Sequence, residues 1–216
     1  MAELYWWRLV RFGFRLLYNE MAFTYDWVSQ IVSLGEWRCW QQTALEYLPN
    51  PHEGLILELA HGTGNLQLDL NTAGYRAIGY DLSAAMGRIA ANKLQKRKLP
   101  VNLVRGEGQR LPFQDGQFTA IVCTFPTNFI TAEDTLREMY RVLQPGGSAI
   151  IVMSGLLQGQ TPLHRFIEWL YAITGQRGDE VVDAQDYFGN VGFTIETIEA
   201  TCPNSRVQLV RLNKPR

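Results

Sequence analysis

Residues 55–82 read LILELAHGTGNLQLDLNTAGYRAIGYDL: a strand, a glycine turn, a helix and a second strand ending in a carboxylate. No other stretch restricts the fold as much. Leu55, Ile56, Leu57 and Leu59 form a short apolar run suited to a strand covered on both faces, as parallel strands between helices are. Gly62 and Gly64 then turn the chain, because glycine accepts positive φ and leaves no Cβ in a ligand's path, while the first N–H groups of the next helix stay free. The second strand, Arg76 to Tyr80, puts Asp81 at its carboxyl end, 19 residues after Gly62. That is close to the spacing at which an acid meets a ribose diol.

Local charge separates two kinds of nucleotide ligand. A pyrophosphate cofactor prefers a third glycine and no acid beside the phosphates, whereas this chain has Gln67 at that position and Glu58 just before the turn. Glu58 would repel a pyrophosphate and attract an α-ammonium group, and the helix N-terminus would receive an α-carboxylate. The corner therefore favours an amino-acid-bearing nucleoside, S-adenosylmethionine, over NAD.

The chain's 216 residues suffice for one core-bearing domain, with residues 1–50 expected as a helical cap and 51–216 as the core. A formal charge of −1 with mixed signs gives no broad basic surface for nucleic acid. Cys39, Cys123 and Cys202 are odd in number, far apart and without CxxC spacing, so neither a disulfide framework nor a metal site is expected. A reducing, cytoplasmic location follows. The uncharged region between Arg141 and Arg165 is broken by prolines and glycines, and Arg8, Arg11 and Arg15 interrupt any secretory signal.

Five of the six tryptophans (Trp6, Trp7, Trp27, Trp37, Trp40) fall in the first fifty residues. Arg8, Arg11 and Arg15 recur at helical spacing beside an apolar face of Leu4, Tyr5, Trp6, Leu9, Val10, Phe12, Leu16 and Leu17. Two readings stand: a cap helix packed over a pocket, or a surface resting on anionic lipid through residues 2–17. A second helix spans Trp37 to Leu48 and ends at the Pro49-Asn50-Pro51 hinge.

Beyond Asp81, Ser83 is suited to N-cap a helix reaching about Lys98, with Met86 one turn in, placed to lie against an adenine. Val101 to Val104 is a third strand, ending at Gly106-Glu107-Gly108, where Glu107 could accept from an exocyclic amine and the Gly108 N–H donate to a ring nitrogen. Phe118 to Thr124 is the fourth strand and opens on Phe125 at the ligand side; a helix over Thr131 to Leu143 and a strand over Ser148 to Met153 follow. Helices are expected over Pro162 to Thr174 and Ala184 to Asn190. Phe193 to Thr201 and Arg206 to Leu212, joined by only Cys202 to Ser205, form an antiparallel hairpin.

Together LELAHGTGN, GYDLSAAM, GEGQRLPFQDGQFTAIVCTF and LREMYRVLQPGGSAIIV make the chain from Leu55 to about Leu212 resemble a class I S-adenosylmethionine-dependent methyltransferase. The likeness is to the branch of ubiquinone/menaquinone C-methyltransferases and phosphatidylethanolamine N-methyltransferases. It implies a Rossmann-like α/β three-layer sandwich: a mostly parallel seven-stranded sheet of order 3-2-1-4-5-7-6, a C-terminal antiparallel hairpin and an N-terminal helical cap. It also implies cofactor contacts from Glu58, Ala60, Gly62, Gly64, Asp81, Leu82, Met86, Glu107, Gly108 and Thr124, with Tyr25 and Phe125 towards the acceptor. His61 stands where a cysteine or small residue is usual, and TFPTNFI replaces a segment that more commonly carries histidines.

Methyl transfer from a sulfonium is an in-line displacement with an activated leaving group, so a protein mainly positions the partners and excludes water. A carbon or oxygen acceptor still needs a base, for which His61 is the first candidate, with His164 and Tyr18 behind it. The expected activity is methylation of a small-molecule or lipid-like acceptor. A protein of this fold that binds the nucleoside without turnover is the contrasting reading, and an NAD-linked oxidoreductase is disfavoured by Glu58 and Gln67.

Overall fold

The structure, a computed structural model, describes residues 2–159, 161–174 and 187–216. Its central strand β1 (Leu55–Leu59) pairs in parallel with β2 (Arg76–Asp81) on one side and β4 (Phe118–Thr124) on the other. Outside β2 lies the short parallel β3 (Leu103–Arg105), and outside β4 lies the long β5 (Leu143–Leu157). The antiparallel hairpin of β6 (Thr194–Cys202) and β7 (Ser205–Asn213) joins β5 through β7. The resulting order, β3-β2-β1-β4-β5-β7-β6, is the one the resemblance implies.

Strand alternation divides the core into two layers. Leu57, Leu59, Ile121, Cys123 and Ile151 pack on one face with Leu136, Met139 and Val142 of α6 (Glu133–Val142). On the other face, Ile56, Ala120, Val122, Ile150 and Val152 meet Trp37 and Trp40 of α3 (Trp37–Gln42) and Leu66 and Leu70 of α4 (Asn65–Thr72). Glu58, two residues after Ile56, falls on the second face.

Several element boundaries move. The helix expected over Trp37 to Leu48 tightens after Gln42 into a 3-10 segment over Thr43–Tyr47. The third strand begins two residues late, and the fifth runs on to Leu157 because β7 extends the ladder as far as Ser205. Of the helix expected over 184–190, residues 184–186 lie outside the described residues, and Gly189–Val191 forms a 3-10 turn.

The N-terminal segment comprises α1 (Ala2–Tyr18), α2 (Tyr25–Val32) and α3. It grips the hairpin turn. The Glu36 carboxylate accepts from the Ser205 hydroxyl at 2.7 Å and from the Asn204 amide N–H and Nδ2, and the Trp40 indole N–H donates to the Ser205 oxygen at 2.7 Å. Burial alone would raise the Glu36 pKa, but these donors hold it below the usual value. The Trp40 ring lies against Gly155 of β5, where an added Cβ would fall 2.3 Å from it.

One expectation is overturned here. Cys39 and Cys202 are disulfide-bonded, with Cα atoms 6.1 Å apart, and only Cys123 remains free. The partners are 163 residues apart, so spacing carried no sign of the pair. Of the apolar face of α1, Tyr5, Leu9 and Phe12 are 67, 61 and 55 % exposed, whereas Val10, Leu16 and Leu17 are half-buried. Among the described residues no helix is long and apolar enough to cross a membrane.

Candidate active site

The site grows from the turn between β1 and α4. Ala60, Gly62 and Gly64 have φ of 59°, 52° and 78°, so both glycines take the left-handed conformation and an alanine shares it. The Gly62 N–H donates to Asp81 Oδ2 at 2.9 Å, and the Ser83 N–H donates to Oδ1 at 2.7 Å. Asp81 thereby closes the turn across the ends of β1 and β2, and each of its oxygens keeps a second lone pair. At Gly62 an added Cβ would meet nothing within 4 Å, whereas at Gly64 it would fall 2.6 Å from Ala90 Cβ. Gly62 therefore leaves open space for a ligand, and Gly64 serves the packing of α4 on α5 (Ala84–Lys96).

The N-terminal segment fixes the turn from outside. The Asp26 carboxylate accepts from the Thr63 hydroxyl at 2.6 Å, Asn65 Nδ2 at 2.9 Å and Lys93 Nζ at 2.6 Å. Burial works to raise the Asp26 pKa, but these donors outweigh it and leave it lowered; Lys93 is itself lowered, because burial outweighs its acidic partner. Ser83 caps α5 as expected, accepting from the Met86 N–H, and its hydroxyl donates to the Tyr18 carbonyl at 2.8 Å.

A cavity of about 1000 Å³ opens along the carboxyl ends of β1, β2, β3 and β4. Ala60, Gly62, Asp81, Leu82, Met86, Glu107, Gly108 and Thr124 line it, together with Tyr25 and Phe125. Leu82 is 60 % exposed and Met86 is buried, so one wall offers an apolar surface beside Asp81. The loop carrying Glu107 is anchored from below: the Tyr80 hydroxyl donates to the Arg110 carbonyl at 3.1 Å, and an added Cβ on Gly106 would fall 1.9 Å from the Tyr80 hydroxyl oxygen.

The opposite wall is aromatic. Phe125 takes φ of 52°, a conformation costly for a non-glycine residue, and its ring stacks on Trp37 with centroids 4.2 Å apart. Tyr25 meets Trp37 edge-on at 6.2 Å and Tyr18 at 5.7 Å. Burial raises the pKa of both tyrosines, so they keep their protons at neutral pH. Tyr18, in the sequence only a remote candidate base, is a wall residue, and Arg15, Asn19 and Glu20, which the sequence did not single out for the site, join it. Only the gathering of distant segments by the fold identifies them.

Four candidates stand off the cavity wall, Glu58 among them. Gly64 faces α5. His61 is only 5 % exposed, packs beside Gly79 and Gln67, and donates from Nδ1 to the Gly62 carbonyl at 2.8 Å. Burial lowers its pKa, so it is a neutral ring under the turn rather than a base facing an acceptor. His164 lies on α7 (Pro162–Ile173), hydrogen-bonded to Thr161, and also does not line the cavity.

Glu58 is 2 % exposed, with Oε2 unpartnered above Gln67, whose amide is also unpartnered. Burial is the main cause that lifts its pKa from 4.5 to about 8, with Asp81 and Asp69 adding to it. At neutral pH it is mostly an uncharged acid, so its expected repulsion of a pyrophosphate is weak. An ammonium brought beside Oε2 would lower that pKa and restore the charge.

The description "methyltransferase domain" matches residues 56–147 of this chain. A demethylmenaquinone methyltransferase of Thermus thermophilus is 34 % identical over 139 residues, covering 63 % of each chain. One of Thermobifida fusca is 32 % identical over 156 residues, covering 71 % of this chain and 65 % of that protein. A ubiquinone/menaquinone biosynthesis C-methyltransferase of Pectobacterium atrosepticum is 30 % identical over 142 residues, 63 % of this chain and 57 % of its own length. The chain thus spans less than two thirds of the length of these curated relatives. Among solved structures, a Haemonchus contortus phosphoethanolamine N-methyltransferase bound to S-adenosylhomocysteine superposes with a TM-score of 0.63 at 16 % identity, over 84 % of this chain and 53 % of that one. A geranyl diphosphate methyltransferase in complex with its methyl donor gives 0.61 at 14 %, over 82 % and 85 %. The strand order and the match over residues 56–147 together make this chain the bearer of a methyltransferase domain with the fold of these solved structures.

Proposed function

We propose that the chain transfers a methyl group from S-adenosylmethionine to a quinone-type acceptor, a small aromatic ring on an apolar tail. The observation that carries this reading is one cavity in which Asp81 and Glu107, at adjacent strand ends, face an aromatic wall of Tyr18, Tyr25 and Phe125. The names of the curated relatives supply the quinone.

The residues fit the nucleoside. Asp81 has lone pairs left for the ribose hydroxyls after holding Gly62 and Ser83, Leu82 and Met86 offer an apolar bed for adenine, and Glu107 and Gly108 lie beyond them for its edge. Ala60, Gly62 and Thr124 bound the space for the methionine end. The unpartnered Oε2 of Glu58 lies behind that turn and becomes a charged acceptor for an ammonium group that reaches it. When bound, the cofactor supplies an electrophilic methyl on a leaving group that needs no acid. The protein's task is then alignment and exclusion of water.

With residues 1–50 as a cap, Tyr25 and Phe125 hold the acceptor ring over the strand ends. Tyr18 and Tyr25 retain their protons and so donate hydrogen bonds to acceptor oxygens rather than take protons from them. No histidine lines the wall among the described residues. The same observation favours, as a second reading, a protein that binds the nucleoside without turnover. Calorimetric binding of S-adenosylmethionine, followed by transfer of labelled methyl to a reduced demethylmenaquinone, separates them. Binding without transfer supports the second reading, and absence of binding removes both.

A further inference from the structure

Three helices leave large apolar side chains in solvent, and they touch one another. On α1, Tyr5, Leu9 and Phe12 fall within about 60° of arc at about 100° per residue, and Arg8, Arg11 and Arg15 run along one flank of that stripe. On and before α2, Phe23, Trp27 and Ile31 recur every fourth residue and are 73, 74 and 66 % exposed. On α7, Leu163, Phe166 and Trp169 recur every third and are 55, 53 and 54 % exposed. The Trp6 indole N–H donates to the Ile173 carbonyl at 2.8 Å, joining α1 to α7, and the Tyr171 hydroxyl donates to the Val32 carbonyl at 3.1 Å, joining α7 to α2. The Tyr18–Tyr25 ring contact closes the triangle.

Isolated exposed apolar residues are ordinary; nine on three mutually bonded helices are not. Among the described side chains the exposed charge beside them is mainly positive. Arg8, Arg11, Arg15 and Arg165 are exposed, Asp26 is held by Lys93, and the Glu168 carboxylate accepts from the Leu157 N–H at 3.4 Å, leaving Glu20 as the exposed acid between α1 and α2. Aromatic and aliphatic side chains flanked by arginines suit the interface of an anionic bilayer, with rings at headgroup depth and guanidinium groups on the phosphates. Arg15, Tyr18, Asn19 and Glu20, at the end of α1, also line the cavity.

We propose that α1, α2 and α7 form one docking face for an anionic membrane surface, which sets the cavity mouth against the lipid from which an apolar-tailed acceptor enters. The entry step rests on the acceptor reading above; the docking does not.

The test is flotation of the full chain with vesicles of phosphatidylcholine mixed with phosphatidylglycerol, against pure phosphatidylcholine. Binding to the anionic vesicles that weakens as salt is raised is expected. Arg8→Ser with Arg11→Ser should weaken it by roughly tenfold or more. The triple variant Phe23→Ser, Trp27→Ser, Ile31→Ser should weaken it at low salt as well, and Phe166→Ser with Trp169→Ser serves as the second apolar set should the triple variant unfold. Failure of the wild type to float, equal flotation of all variants, or a dimer that dissociates on the apolar substitutions would each overturn the proposal, the last by showing that a second copy covers the face. S-adenosylmethionine affinity measured on the same samples should not change. Its absence beside intact flotation would defeat the methyltransferase reading and leave the docking face standing.

Discussion

The backbone N–H of Gly62 reaches Asp81 Oδ2 at 2.9 Å, across the 19 residues that separate the glycine turn from the end of the next strand. The carboxylate thus shapes the turn as well as lining the cavity, and its loss should be felt twice. Asp81→Ala is expected to weaken S-adenosylmethionine binding by about 1.5 to 3 kcal/mol, roughly tenfold to a hundredfold in dissociation constant. Titration calorimetry measures it, and unchanged affinity would take Asp81 out of the binding site.

Glu58 should make stability fall with pH. Its pKa rises from 4.5 in the ordinary state to about 8 in the fold, so between those values the native state holds a proton that the unfolded chain has released. The stabilisation is complete below about pH 4.5 and is lost as pH rises through 8, with a slope of at most about 1.4 kcal/mol per pH unit. Glu58→Gln should flatten this part of the profile in denaturant melts from pH 5 to 9. A parallel profile for the two proteins would show that Glu58 is not the group responsible.

The Cys39–Cys202 bond closes a loop of 163 residues. Its reduction, or Cys39→Ser with Cys202→Ser, should cost about 2 to 4 kcal/mol in unfolding free energy. Thiol titration of the oxidised, denatured chain should find one reactive group, Cys123, and three after reduction. Three before reduction would show that the bond does not form.

Gly106→Ala would drive a methyl group to 1.9 Å from the Tyr80 hydroxyl oxygen. Relief requires the Glu107–Gly108 loop to move, so a stability loss of about 1 to 3 kcal/mol is expected, with weaker S-adenosylmethionine binding. The urea midpoint and calorimetry test both parts. A fully stable variant with weaker binding would show that the loop yields without strain.

Phe125→Ala removes the stack on Trp37 at 4.2 Å, a contact worth about 0.5 to 1.5 kcal/mol. If the aromatic wall serves the acceptor, KM for the acceptor should rise about two- to tenfold while cofactor affinity stays level. A loss confined to cofactor affinity would move Phe125 to the other side of the cavity.

The features that sequence made legible are those encoded locally. The apolar run at Leu55–Leu59, the two glycines and the acid at 81 each announce their own geometry, and the four-residue link at Cys202–Ser205 permits only an antiparallel pair. What escaped needed the third dimension. No spacing brings Cys39 to Cys202, and the pattern of α1 identifies a face without saying what covers it. His61 lies next to Gly62 in the chain, yet its ring turns under the loop towards Gly79. Glu58 is the intermediate case: its identity suggested a charge, whereas strand alternation places it beside Ile56 on a buried face, where ionisation is opposed.

The grip of Glu36 and Trp40 on Asn204 and Ser205 bears on any attempt to re-engineer specificity. The aromatic cover hangs from the final pair of strands, so transplanting the first fifty residues between relatives without their matching C-terminal turn would leave the graft with nothing to hold. Chimeras that exchange the two chain ends as a pair are the ones in which a new acceptor can be accommodated.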